Sequence, residues 1–408
     1  MSIDVESVYT DLHRHPELSF AEHRTAGIVA EHLEGLGLSV TTGIGKTGVV
    51  GVLENGAGPT VMLRADMDGL PVEEATGLDY ASTARGIDPD GNDVPVMHAC
   101  GHDVHVACLL GAVQALVDDR GGWSGTLVAL FQPAEEAGAG ARTMIADGLY
   151  DRIPTPDVVL GQHVTPYPAG VLGAHSGPAF AATDDLHVTL HGRGGHGSRP
   201  ETTIDPVVMA AATVMRLQTI VSREVAGGET AVVTVGTLHA GTKVNIIPPD
   251  ATLGINVRSY DSAVRDRVIA AISRIVEAEA QAAGATTPPE IRLGEGFAAL
   301  YNDPDATERT MDAFRAAFGA ARVLDPGAVT GSEDVGELAT AAGVPLVYWL
   351  LGGGDPQTVA AAMANGTMET DVPSNHSPYF APVIQPTLDT GVQALIVAAK
   401  TWLGAASA

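Results

Sequence analysis

The chain has 408 residues, 45% of them hydrophobic and 17% charged, a balance typical of a globular protein whose length suggests two domains. Its formal net charge of −27, from 22 Lys plus Arg against 49 Asp plus Glu, supplies no basic stripe for a phosphate backbone and argues against nucleic acid as a partner. No apolar run reaches the roughly 18 residues of a membrane span, and Met1 to Glu6 carries early acids instead of a basic leader, so the expectation is a cytoplasmic protein without a membrane partner. If the segment after Gly101 is helical, the two cysteines, Cys100 and Cys108, lie roughly 12 Å apart along it, too far for a disulfide.

In chain order, apolar residues at helical spacing predict helices over 3–13 and 21–36, then strands over 49–53 and 60–63 separated by Glu54-Asn55-Gly56. A helix over 103–117, a strand over 126–131, a helix over 139–146 and a strand over 158–161 follow. This alternation predicts an α/β domain, an open mixed sheet flanked by helices. After Gly177-Pro178 the pattern changes. Strand 185–190, a glycine-rich loop over 191–197, helix 206–221, strands 231–238 and 251–260, helix 263–282 and strand 290–293 give the βαββαβ order of a ferredoxin-like α+β unit. Helix 306–318, strand 345–350 and helix 388–402 resume the α/β character. The expected organisation is a discontinuous catalytic domain, 1–179 and 295–408, with residues 180–294 inserted as a lid or dimerisation domain.

Three stretches place acids or a histidine just beyond a predicted strand: Asp66 and Asp68, Glu135 and Glu136, and His163. In open α/β sheets that edge is where ligands bind. Asp66 and Asp68, two apart in an extended segment, face one side. Met97-His98-Ala99-Cys100-Gly101-His102-Asp103 adds a thiol and an imidazole able to meet one ion across a glycine turn, and His376 lies in a Pro- and Asn-rich loop far downstream. Each piece alone has a blander reading: solvated acids, a small buried cysteine, a turn closed by an ion pair. Their recurrence at successive strand ends is what points to a site.

Seven motifs carry a resemblance. They are Arg64-Ala65-Asp66-Met67-Asp68-Gly69-Leu70-Pro71, the 97–103 segment, Phe131-Gln132-Pro133-Ala134-Glu135-Glu136, Gly195-His196-Gly197-Ser198, Asn245-Ile246-Ile247-Pro248, Gly331-Ser332-Glu333-Asp334 and Asn375-His376-Ser377. Together they resemble the dinuclear metallohydrolases that include aminoacylase and glutamate carboxypeptidase, in the branch of hippurate hydrolases and indole-acetyl-amino-acid hydrolases. The motifs run in family order over nearly the whole chain.

The resemblance implies that Cys100, His102, Glu136, His163 and His376 hold two divalent ions, the thiolate bridging. A mixed thiolate, imidazole and carboxylate set suits zinc first, with manganese, cobalt or nickel compatible. Water held there ionises near pH ~7 and attacks the amide carbonyl, with Glu135 as general base. By the same resemblance Asp68 orients a ligand imidazole, with Asp66 and Asp103 in support, His196 stabilises the oxyanion, and Asn245 and Arg258 bind the substrate carboxylate. The implied reaction is hydrolysis of N-acyl or N-aroyl amino acids, hippurate-like small molecules, by a homodimer or homotetramer. A dipeptidase or carboxypeptidase and a catalytically silent metal- or ligand-binding protein are the alternatives. Glu201, Val335 and the 378–382 segment depart from the usual pattern and leave the acyl pocket open.

Overall fold

The computed structural model describes residues 3–405, apart from the side chain of Glu295. Backbone contacts divide it into two units. The first takes residues up to Gly177, Tyr301–Gly327 and Asp334 onward; the second takes Pro178–Leu300 and Ala328–Glu333.

The first unit is built on an eight-stranded mixed sheet, in the order Ser39–Ile44, Gly48–Asn55, Gly125–Gln132, Thr60–Asp66, Val158–Pro168, Leu346–Gly354, Leu172–Gly173, Val323–Leu324. Its four central strands, from Gly125–Gln132 to Leu346–Gly354, run parallel. Thr60–Asp66 is buried on both faces beyond its first residue, which explains the continuous Val61-Met62-Leu63 run where an alternating pattern would mark a half-exposed strand. Helix His102–Asp118 is buried almost all round and packs against the C-terminal helix Ile384–Trp402. A Cβ on Gly391 would lie 2.6 Å from the Cys108 sulfur, so this close helix approach requires glycine. Both cysteines are free thiols. Among the described residues no helix is long and apolar enough to cross a membrane.

The second unit is an antiparallel sheet in the order Ala231–Ala240, Asp250–Ser259, Ala182–His191, Glu290–Phe297, covered by helices Pro206–Thr219 and Ser262–Ala282. This is the ferredoxin-like order read from the sequence. Its core joins Leu186, Val188 and Leu190 to Leu253, Ile255 and Val257 and to the inner faces of both helices. The segment Ala328–Glu333 pairs here, Ala181 N–H donating to Gly331 and Val329 N–H to Ala179.

Several expectations need correction. The strand predicted to end at Gly161 continues to Pro168, because Leu346–Gly354 pairs alongside it; His163 therefore lies within a strand, not beyond it. Likewise Asp66 closes its strand. The 191–197 loop contains a short pairing of Gly195–His196 with Ile246–Ile247. Strand Ser39–Ile44 and helices Val335–Ala342 and Pro356–Asn365 lie outside the predicted elements, although Val335, Leu338, Ala339 and Ala342 stand at helical spacing.

Two buried ionic clusters hold the first unit together. Arg64, 1% exposed, donates to Asp66 Oδ2 at 2.6 Å, to Gln132 Oε1 at 2.9 Å and to Asp334 Oδ1 at 3.3 Å, while Gln132 and the Ala141 N–H also bond Asp334. His13 bridges Asp103 (2.6 Å) and Glu74 (3.1 Å), tying the first helix to the start of helix His102–Asp118. Burial opposes charge on His13, but the hydrogen bond and charge of Asp103, then Glu74, outweigh it and raise the imidazole to about 10.

Removing one partner of a buried ion pair strands the other charge, so Arg64→Met should cost about 3–5 kcal/mol in urea denaturation. A loss below about 1 kcal/mol would contradict the clamp. For His13 the folded protein holds a proton that the unfolded chain releases near its ordinary pKa. Its stabilisation is therefore complete below about pH 6.5 and declines as pH rises through about 10. His13→Gln should flatten the fall in urea midpoint between pH 7 and pH 10, and an unchanged slope would show that another group causes it.

Candidate metal centre

The C-terminal ends of the parallel strands and the loops that follow them bring six chemically active side chains of the first unit together. Three overlapping sets have ligand atoms mutually within 4.8 Å: Cys100, His102 and His163; Cys100, Glu136 and His376; and His102, Glu135 and Glu136. The Cys100 sulfur is 3.5 Å from His163 Nε2, Glu136 Oε1 is 3.3 Å from His376 Nε2, and His102 Nε2 is 3.8 Å from Glu136 Oε1. Glu135 Oε2 stands 4.0 Å from His102 Nε2.

Second partners orient the imidazoles of the site. His163 Nδ1–H donates to the Val164 carbonyl at 2.8 Å, which leaves the Nε2 lone pair facing Cys100. His102 Nδ1 pairs with Asp68 Oδ1 at 3.2 Å, so its Nε2 turns toward Glu135 and Glu136. Such carboxylate-to-imidazole bonds orient ligand histidines in metal sites. Asp68 also accepts from Ser19 Oγ and from the backbone N–H groups of Glu135 and Glu136. Asp66 bonds Arg64 and His105, and His105 Nε2 in turn accepts the Val164 N–H. His376 takes a left-handed backbone conformation, φ 70°, with its N–H on the Ala99 carbonyl, and Asn375 beside it donates to the Cys100 and Val164 carbonyls.

The electrostatics favour a cation. Burial opposes ionisation of Asp66, yet Arg64, His102 and His105 hold its carboxyl well below the usual carboxylate range. Burial also opposes charge on His102, but Asp66, Asp68 and Glu136 raise its pKa to about 10. Burial pulls His163 down to about 4, keeping the ring neutral, and burial followed by Glu136, Glu135 and Asp66 pushes the Cys100 thiol well up. A coordinated metal reverses that last preference, because it deprotonates a ligating thiol. His102 Nε2 and Glu136 Oε1 are buried without hydrogen-bond partners among the described residues, although such atoms ordinarily find one. A buried imidazole nitrogen and a carboxylate oxygen 3.8 Å apart, with a thiol and two further imidazole nitrogens alongside, form a donor set that fits metal ions, which would displace the second proton of His102.

All five ligand candidates and Glu135 thus meet in one unit. His196, Asn245 and Arg258 belong to the other. There His196 Nδ1 accepts the Ser198 N–H at 3.1 Å, which puts the proton of the neutral ring on Nε2, and Gly197 N–H bonds the Asn245 carbonyl at 2.8 Å. Arg258 is half-buried, with Nη1 on the Thr330 carbonyl and Ser332 Oγ and Nε on Asn256. Sequence reasoning passed over Arg64 as a clamp, together with Ser19, Glu22, Gln132 and His105. His105 had a usable signal, since it follows His102 by three residues on the same helical face.

The sequence pattern of peptidase family M20/M25/M40 matches residues 62–372. The chain is 38% identical over 347 residues, 84% of each protein, to a thermostable carboxypeptidase of Saccharolobus solfataricus. It is also 38% identical over 320 residues to a hippurate hydrolase of Campylobacter jejuni, covering 78% of this chain and 79% of that one. Among solved structures it resembles the Bacillus subtilis protein YXEP, a dinuclear metal-binding peptidase of the M20 family, with a TM-score of 0.76 and 26% identity over 97% of both chains. The chain therefore belongs to peptidase family M20/M25/M40 and is a metal-dependent hydrolase of amide bonds.

Proposed function

We propose that the protein hydrolyses N-acyl or N-aroyl amino acids, compounds of the hippurate type, at a centre where Cys100, His102, Glu136, His163 and His376 hold two divalent ions. The observation that carries this reading is the overlap of the three ligand sets through Cys100, His102 and Glu136, which offers more donors than one ion takes. Zinc is the first expectation from the thiolate and imidazoles, with manganese, cobalt or nickel compatible. When bound, such ions acidify water and polarise a carbonyl oxygen.

The chain's own groups supply the rest. Glu135, beside the ligand candidate Glu136, accepts the proton of the attacking water and returns it to the departing amine. Asp68 keeps His102 aimed through Nδ1. His196, with its Nε2–H outward, donates to the oxygen that becomes negative on the attacked carbonyl. Arg258 has Nη2 outside the bonds that pin Nη1 and Nε, and with Asn245 it receives the substrate carboxylate. In this account the second unit acts as a lid or dimerisation domain of a homodimer or homotetramer, and His196 arrives by closure or from a partner subunit.

A hippurate hydrolase and a carboxypeptidase both release an amino acid with a free carboxylate, which is why the carboxypeptidase reading stands second. Turnover of hippurate and other acylated amino acids, with unblocked peptides at least about tenfold slower, supports the first reading, and the reverse ranking selects the second. Glu135→Gln should keep its metal while turnover falls by several orders of magnitude; near-full turnover would reject the base. Cys100→Ala should bind less metal by elemental analysis, and unchanged stoichiometry would remove its ligand role.

A further inference from the structure

The segment that carries Glu135 is wound into a conformation that its own residues do not favour. Ala134, fully buried, has φ 50°, in the left-handed region that an L-residue with a Cβ disfavours. The turn behind it has no slack: Gly140 and Ala139 N–H both reach the Ala134 carbonyl, and a Cβ on Gly140 would lie 1.7 Å from the Pro133 oxygen. What fastens Ala134 from the other side is Glu22, at the entry to the second helix and 0% exposed. Its Oε1 accepts the Ala134 N–H at 2.8 Å and the Phe20 N–H at 2.9 Å, and its Oε2 meets Thr47 Oγ1 at 2.5 Å. Phe20 is itself left-handed, at φ 63°, so one carboxyl fastens two strained residues. Immediately beyond, Asp68 takes the N–H groups of Glu135 and Glu136. The base is thus suspended between two buried acids drawn from distant parts of the chain.

The geometry points to Glu22 as a positioning residue for Glu135: by holding Ala134 left-handed it aims the next side chain into the metal centre, and it touches neither substrate nor the ligand atoms. This rests on the proposed role of Glu135 as the base. The bonds to Ala134 and Phe20 need an acceptor and the bond to Thr47 needs only a polar partner, so an amide can replace the carboxyl.

The test is a set of purified, metal-replete variants assayed on hippurate for kcat and KM, with metal content measured in each. Glu22→Ala should lower kcat about 10–100-fold, the penalty of a misplaced catalytic group, with KM and metal stoichiometry little changed. Glu22→Gln should keep kcat within about threefold. Ala134→Gly, which removes the cost of the left-handed turn, should return at least about tenfold of the lost kcat when added to Glu22→Ala. Thr47→Val, which cuts only the far end of the clamp, should lower thermal stability and leave kcat within about twofold. The role of Glu22 is overturned if glycine at 134 gives no recovery, if Thr47→Val loses turnover as Glu22→Ala does, or if metal content falls in step with kcat. Should Glu22→Ala not fold, a well-folded Glu22→Gln enzyme with turnover as low as Glu135→Gln overturns it as well. A Glu135→Gln enzyme with near-full turnover would instead remove the base assignment, and this proposal with it.

Discussion

Burying several carboxylates together is the constraint around which the first unit is built. Asp66 and Asp68 are essentially inaccessible to water, Glu135 nearly so, and Glu136 adds a fourth acid to the same edge of the sheet. Such a cluster cannot persist ionised in a low-dielectric interior without positive charge or fixed N–H donors. The protein provides both. Arg64 is committed to Asp66 and shared with Asp334, His102 is drawn toward its charged form, and Asp68 is ringed by a hydroxyl and two backbone amides. The carboxylates of this edge outnumber the cationic groups beside them, which makes it attractive to cations.

The same logic explains why the chain's organisation reads as it does. Strand Thr60–Asp66 must be apolar along its length because both faces are covered, and it must turn polar at its end because that end is the site. Helix His102–Asp118 starts with a candidate ligand and continues as one of the most buried helices in the unit, so an imidazole is set on a rigid element instead of a loop. His13 with Asp103 and Glu74 anchors that start.

Much of this was legible in the sequence. The parallel-strand pattern and the ferredoxin-like order of the second unit follow from periodicity, and the meeting of Cys100, His102, Glu136, His163 and His376 was implied by the resemblance that the seven motifs carry. What was not legible depends on pairings remote in sequence. His163 was placed beyond a strand because nothing local shows that Leu346–Gly354 prolongs it. Glu22 looks like an ordinary acid at a helix entrance, and its bond to Ala134 spans 112 positions with no periodic or compositional trace. Left-handed Ala134 is equally silent, since alanine is the residue least suggestive of a turn.

The central claim, that these residues converge to bind a pair of ions, is tested most directly by anomalous diffraction from metal-loaded crystals, recorded at the absorption edge of the bound element. The account predicts two anomalous peaks per subunit, both within coordinating reach of donor atoms from Cys100, His102, Glu136, His163 and His376. A single peak, or peaks bound by other residues, would contradict it.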